Sequence, residues 1–421
     1  MSILIKNVIL NKKTTNIYIE QNLISQIGNV KIEAEHVIDG KDKAAIPGLI
    51  NTHTHAAMTL LRGYADDMAL KDWLNNKIWP VEARLKKEDI YWGTKLACLE
   101  MIKTGTTTFN DMYFHGEIAA KAVKEMGIRG VLSEVFFDLF DETKGKKGRE
   151  KVKKGIEELK DYKCDRIIPA LGPHALYTVS SEGLQWVKEF ADKNDLLIHF
   201  HLAETKNEND DFKKQHKMRP VPYLEKIGFL GENLVAAHCI WLNKEDMKIL
   251  AKQNVKISHN PISNMKLAVG STLPYIELKN AGCIVSLGTD GCASNNNLDM
   301  FDSMKFAALG QKAYTNDPTA MSAYETFDMA TKNGAKALRL SAGEIKEGML
   351  ADILLLNLKS PSFTPNHNLI ANIVYAAKGS CVDTTICDGK ILMNEGKVKD
   401  EENIMNKASE VAFDLVSRSI K

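Results

Sequence analysis

Between residues 44 and 289 the chain alternates eight apolar, strand-like runs with helical stretches, and no other feature limits its fold as much. The strand runs are 44–52, 106–111, 129–137, 165–171, 196–202, 234–239, 254–259 and 283–289. Helical patterns at 88–103, 116–126, 149–161, 181–193, 244–252 and 274–281 separate most of them. Many end in a glycine turn, as at Lys103-Thr104-Gly105 and Met126-Gly127. Apolar strands alternating with helices imply a parallel sheet covered by those helices. Eight is the strand count of a closed (β/α)8 barrel of the TIM type. An open doubly wound sheet has the same alternation, and periodicity alone does not separate the two.

The two ends of the chain read differently. Residues 3–10 and 16–27, and again 351–357 and 384–393, are short strand patterns with turns between them. The two ends are therefore expected to meet in one small β-sandwich domain, built from 1–45 and 346–421 and closing with a terminal helix. The barrel would then occupy 46–345. A length of 421 residues with 44% hydrophobic and 26% charged residues is ample for such a core.

The same composition excludes several function classes. A formal net charge of +1 provides no field to gather nucleic acid or an acidic membrane. No apolar run reaches the length of a membrane span, and Met1–Asn7 lacks the pattern of a signal peptide. Seven scattered cysteines without a Cys-x-x-Cys argue against a disulfide framework or a cysteine zinc ribbon. Together these features suggest a cytoplasmic protein without nucleic-acid or membrane partners.

In a barrel of this kind the chemistry sits at the C-terminal ends of the strands. Those ends read His53-Thr54-His55, Gly172-Pro173-His174, His199-Phe200-His201-Leu202-Ala203-Glu204, His238-Cys239, His259-Asn260-Pro261 and Gly288-Thr289-Asp290-Gly291. Of the eleven histidines in the chain, seven lie there, whereas histidines without a shared role would scatter. His53 and His55 are two residues apart, so on a strand they share a face. With one histidine of the fifth strand and Asp290 they satisfy a divalent metal that prefers three or four nitrogen and oxygen ligands. His201 is the expected fifth-strand ligand, and His199 on the same face suits a supporting hydrogen bond. Glu204, just past that strand, suits a carboxylate that moves protons without binding the metal. His238 suits an active-site role. Each has a plainer reading: Asp290 as a helix cap, His238 as a core histidine, His259 as a contact at the turn before Pro261. Trp73 and Trp79, at roughly helical spacing, read as packing residues, and the lysine-rich run 144–154 as a solvated loop and helix start.

With these residues in view, the chain resembles the amidohydrolase superfamily. Within it, the chain is similar to the 5-methylthioadenosine/S-adenosylhomocysteine deaminases and their 5′-deoxyadenosine-type relatives. The likeness covers nearly the whole chain. It rests on Pro47-Gly48-Leu49-Ile50-Asn51-Thr52-His53-Thr54-His55, Met58-Thr59-Leu60-Leu61-Arg62-Gly63, Trp79-Pro80-Val81-Glu82, Gly172-Pro173-His174, His201-Leu202-Ala203-Glu204-Thr205, Ala237-His238-Cys239, His259-Asn260-Pro261, Gly288-Thr289-Asp290-Gly291 and the late Gly343–Asp352 segment. The resemblance implies a (β/α)8 barrel with one divalent metal held by His53, His55, His201 and Asp290. Zinc would be the usual ion, although iron, manganese or nickel accept the same donors. The resemblance further implies that Glu204, His238 and Asp290 carry the chemistry. Glu82 would bind ribose hydroxyls, His174 the purine and Arg149 the carboxylate of a homocysteine tail. The substrate would be a small nucleoside and the protein a homo-oligomer. Relatives that hold two metals carry a bridging lysine where this chain has Pro173-His174.

One departure bears on specificity. The resemblance suggests a second arginine for the homocysteine carboxylate within Val131–Val135, where this chain carries Glu134. A carboxylate facing the tail would repel it, which favours neutral 5′ substituents. Related barrels that deaminate guanine or cytosine, or hydrolyse triazines, are the rival reading. A non-catalytic scaffold would be expected to lose ligands that this chain retains.

Overall fold

The computed structural model describes residues 1–420. In chain order its strands are β1 (Ser2–Leu10), β2 (Lys13–Glu20), β3 (Leu23–Gly28), β4 (His36–Asp39), β5 (Lys43–Pro47), β6 (Leu49–Thr54), β7 (Thr106–Tyr113), β8 (Arg129–Phe136), β9 (Ile167–Pro173), β10 (Leu197–Leu202), β11 (Leu234–His238), β12 (Lys256–His259), β13 (Ile284–Leu287), β14 (Ile353–Asn357), β15 (Val382–Cys387), β16 (Lys390–Asn394) and β17 (Lys397–Val398). Strands β6 to β13 lie side by side in sequence order, every pairing parallel. The ring closes between β13 and β6. There the amides of Thr289 and Asp290 donate to the carbonyl of His53, at 3.2 and 2.9 Å. The alternation in the sequence therefore resolves as a barrel, not an open sheet.

The remaining strands form the expected small β domain as one hydrogen-bonded sheet, in the order β17-β16-β15-β14-β5-β1-β2-β3, with β4 also on β1. Ile3, Ile5, Ile17, Ile19, Ile353, Leu355 and Ile386 are buried in its core. Arg129, at the start of β8, reaches down from the barrel into this sheet. It pairs with Asp352 and, at 3.2 Å, with Asp388, which also takes Arg166 at 3.1 Å. The terminal helix Glu401–Ile420 returns to the barrel and packs on the helix Lys87–Lys103, with Arg418 bonded to Asp89 at 2.6 Å.

The apolar run 44–52 splits in the structure. Residues up to Pro47 pair with β14 in the terminal sheet, and the barrel begins at Leu49. Gly48 makes the turn where the chain passes within contact of Thr107. A Cβ there would stand 2.2 Å from the threonine hydroxyl. The sequence marks this change with Pro47-Gly48, close to the expected domain boundary at 45/46.

Inside the barrel the layers change character toward the strand C-termini. Ile50, Val131, Ala170, Leu197 and Val235 close the lower part together with Ala335 and Leu338. Nearer the strand ends the hydroxyls of Thr52, Ser258 and Ser286 bond one another at 2.7 and 2.9 Å. Helix-facing residues of the same strands, such as Ile198, Phe200 and Leu202 on β10, join the large outer core. The period of two thus puts His199 and His201 on the opposite face from these apolar residues.

Across the top, residues 62–84 form a cover of short turns: helix Leu70–Trp73, a wide π-type turn Leu74–Ile78 and helix Trp79–Glu82. The lysine-rich run is helical throughout, within Glu142–Lys160, because Asp141 caps it by accepting from the Lys144 amide at 2.9 Å.

Candidate active site

The barrel top holds a cavity of about 350 Å³, lined among others by His55, Glu82, His174, His201, Glu204, His238 and Asp290. At its floor three side-chain nitrogens and one carboxylate oxygen converge. His53 Nε2 and His55 Nε2 each lie 3.3 Å from Asp290 Oδ1, and His201 Nε2 lies 3.3 Å from His55 Nε2. Ligands bound tetrahedrally at about 2.0–2.1 Å stand about 3.3 Å apart, so these spacings fit one small divalent ion.

The outer nitrogens are already committed. His55 Nδ1 lies 2.6 Å from the carbonyl of Met112, and His201 Nδ1 lies 2.8 Å from that of His174. A carbonyl only accepts, so in both rings Nδ1 carries the proton and Nε2 keeps its lone pair toward the centre. His53 Nδ1 meets His199 Nε2 at 2.6 Å, while His53 Nε2 is buried without a hydrogen-bond partner. An unpaired buried nitrogen facing a carboxylate oxygen is costly in an empty site and well used by a metal. Burial lowers the pKa of His53 to about 4 and that of His201 well below its ordinary value, so both are neutral and ready to ligate. The site is therefore built for a divalent metal.

Asp290 is shaped from both sides. Oδ2 accepts from Ser263 at 2.6 Å and Ser294 at 3.2 Å, and Oδ1 accepts from the Gly291 amide at 2.8 Å. Burial alone would raise its pKa, but the neighbouring imidazoles of His53, His55 and His238 hold it well below the usual range. Glu204 behaves in the opposite way. It is buried, its Oε1 has no partner, and burial together with the charge of Asp290 pushes its pKa up to about 8. The surroundings thus push the pKa values of two carboxylates in one site in opposite directions, the pattern that divides acid from base.

His238 brings a ring nitrogen within 4.8 Å of those of His53 and His201. Its Nδ1 faces the amide nitrogens of Asn264 at 3.0 Å and Asn260 at 3.3 Å, which leaves Nε2 as the proton-bearing nitrogen. His174 lines the cavity with Nδ1 at 3.0 Å from Thr178 Oγ1. Glu82 Oε1 accepts from the Tyr113 hydroxyl at 2.8 Å, and burial raises its pKa to about 7. His259 is buried but does not line the cavity.

Beyond Glu82 the cavity turns apolar. Tyr113 meets Phe114, and Phe114 meets Phe137, with ring centroids 5.2 and 6.3 Å apart. Val135, Leu139, Trp73 and Ile78 complete this part of the wall. No lysine or arginine is among the lining residues.

Two expectations change here. Arg149 is not among the residues that line the cavity. Its helix directs it at Trp186, with the guanidinium 5.6 Å from that ring, and its nearest acceptor is the Glu182 carbonyl at 3.5 Å. Glu134 also lies outside the cavity. Its carboxyl packs against Gly116 and Gly155 on the helix side of β8, where a Cβ on Gly116 would stand 2.4 Å from Oε1. It therefore repels nothing in the cavity, and its neighbour Val135 is the residue that faces inward. Trp73 and Trp79, expected as packing, both line the cavity. Tyr113, Ser263, Ser294 and Asn264 were not singled out from the sequence. The only signal was their closeness to a strand end or to the His259-Asn260-Pro261 and Thr289-Asp290-Gly291 motifs.

The sequence pattern of the Amidohydrolase family matches residues 44–392. The chain is 50% identical over 424 residues to 5′-deoxyadenosine deaminase of Methanoregula boonei, covering 99% of this chain and 96% of that one. It is 50% identical over 400 residues to 5-methylthioadenosine/S-adenosylhomocysteine deaminase 1 of Archaeoglobus fulgidus, covering 94% of each. Among solved structures it resembles an adenosine deaminase from Xanthomonas campestris with bound zinc. That likeness has a TM-score of 0.92 at 31% identity over 99% of this chain and 98% of the other.

Proposed function

The chain belongs to the Amidohydrolase family, and from that premise we propose how it acts as a hydrolytic deaminase of 5′-substituted adenosines. The reaction is addition of water at C6 and loss of the amino group, which yields the inosine analogue and ammonia. The observation that carries the reading is the 3.3 Å convergence of His53, His55, His201 and Asp290 in a cavity that Glu204 also lines.

His53, His55, His201 and Asp290 would hold one ion, with zinc the candidate that best fits the spacing. The absence of a lysine among the lining residues supports a single-metal site. When bound, the ion supplies Lewis-acid activation of water at neutral pH. Asp290 takes one proton from the water as its oxygen bonds to C6. Glu204 gives its proton to N1, so negative charge does not build on the ring. The Nε2 proton of His238 steadies the oxygen as the tetrahedral adduct forms. Asp290 then passes its proton to the amino nitrogen, the C6–N6 bond breaks and ammonia leaves. The remaining hydroxyl proton returns to Glu204 as the carbonyl forms. His174 is suited to N3 of the purine, and the free oxygen of Glu82 to the ribose hydroxyls.

The apolar wall beyond Glu82 supports a neutral 5′ substituent, such as hydrogen or methylthio. A homocysteine tail would bring a carboxylate into a wall without a guanidinium, and an unpaired buried charge is costly. Glu134, on the helix side of β8, plays no part in this preference.

Ammonia release from 5′-deoxyadenosine and methylthioadenosine, set beside guanine, cytosine and a triazine, tests the substrate class. Turnover of the nucleosides alone is expected. Turnover of guanine or a triazine without the nucleosides would overturn the reading.

A further inference from the structure

The loop that carries Glu204 is gripped by a second, half-buried carboxylate, Glu208, for which the chemistry above has no use. After Leu202 the chain turns through Ala203, in the left-handed region with φ 52°, before helix Lys206–His216 begins. On one side of this turn the carbonyls of Leu202 and Ala203 accept from the amides of Cys239, Ile240 and Trp241, at 2.8, 3.0 and 2.9 Å. On the other side the amides of Ala203 and Glu204 donate to Glu208, at 3.0 Å to Oε1 and 2.8 Å to Oε2. The Glu208 amide in turn donates to Thr205 Oγ1 at 3.1 Å.

Thr205-Lys206-Asn207-Glu208 spells a capping box, in which the glutamate would bond the amide of the capping residue itself. Here its two oxygens reach past the cap to the two amides before it. A helix-start motif is thereby extended to clamp the peptide on which Glu204 is mounted. The arrangement sets two carboxylates close together. Burial raises the pKa of Glu208 to about 7, an electrostatic penalty that ordinary helix capping does not require.

We infer that Glu208 is a positioning residue that fixes the backbone of Glu204 and so the reach of its carboxyl to N1 of the purine. The inference rests on the reading of Glu204 as the acid. A misplacement of about 1 Å in such a group lowers turnover about 100-fold. Glu208 is not among the residues that line the cavity above the converging His53, His55, His201 and Asp290, and its hydrogen bonds go to backbone amides, so binding and metal content are expected to stay intact.

The test is a double-mutant cycle on the metal-loaded enzyme. Glu208→Ala is expected to lower kcat about 10- to 100-fold, with KM within about threefold and metal stoichiometry unchanged. In the Glu204→Ala background the same change is expected to cost less than about threefold, since the group it positions is gone. Glu208→Gln keeps the size and one acceptor, is expected to fall between wild type and Glu208→Ala, and serves as the variant should Glu208→Ala not fold. Normal kcat in both Glu208 variants overturns the inference alone. So does an equal loss in the Glu204→Ala background, which would mark a merely structural role. A near-normal kcat for Glu204→Ala overturns the acid reading first and this inference with it.

Discussion

Glu204→Gln is expected to lower kcat by about 10²- to 10⁴-fold while the protein keeps its metal and its fold. The amide matches the carboxyl in size and can still face N1, but it has no proton to transfer. Because Glu204 is not placed among the ligand atoms that converge on Asp290 Oδ1, metal content per chain should stay at the wild-type value. KM should change little, since the loss belongs to the transition state and not to the bound substrate. Removing a carboxylic acid from an apolar setting carries no stability cost of its own, so the melting temperature should hold. Steady-state kinetics with elemental analysis of the same sample checks this. A variant with near-normal kcat would remove Glu204 from the chemistry, whereas loss of metal together with kcat would make it a ligand.

His201→Ala is expected to have the second large effect, and of a different kind. It deletes one of four converging ligand atoms and leaves His55 Nε2 without a neighbour on that side. Metal affinity should fall by at least about 100-fold and turnover with it. The difference is also visible without any assay of activity. Zinc in excess stabilises a folded protein that binds it by RT ln(1 + [L]/Kd), about 2.7 kcal/mol at one hundred times Kd. Metal-stripped wild type should therefore gain melting temperature when zinc is restored, and His201→Ala should gain much less at the same concentration. An equal gain in both proteins would show that the ion sits elsewhere.

The barrel and the convergence of its strand-end polar residues were legible in the sequence for one reason. A parallel barrel buries both faces of its strands, so each strand is an apolar run, and a polar residue at its end stands out. His53, His55, His201, Glu204, His238 and Asp290 all stand out in this way, and all converge around the cavity floor. What could not be read depends on direction within one or two residues. Glu134 and Val135 are neighbours on β8, and the strand period sends one to the helices and the other to the cavity. Arg149 sits on a helix whose rotation the sequence does not fix, and it turns to Trp186. Trp73 and Trp79 lie at helical spacing, which says nothing about whether their short helices cover the barrel mouth. Ser263 and Ser294 matter only because Asp290 Oδ2 lies between them, a contact across two loops.

The proposed preference for a neutral tail depends on Phe114, Val135, Phe137 and Leu139 in the cavity wall, with no lysine or arginine among the lining residues. The most direct measurement is kcat/KM for ammonia release from 5′-deoxyadenosine, methylthioadenosine, adenosine and S-adenosylhomocysteine on one metal-loaded preparation, since specificity is a ratio of those values. 5′-Deoxyadenosine or methylthioadenosine should exceed S-adenosylhomocysteine by about 100-fold or more, the consequence of a buried charge left without a partner. S-adenosylhomocysteine turned over as well as either neutral nucleoside would contradict the account.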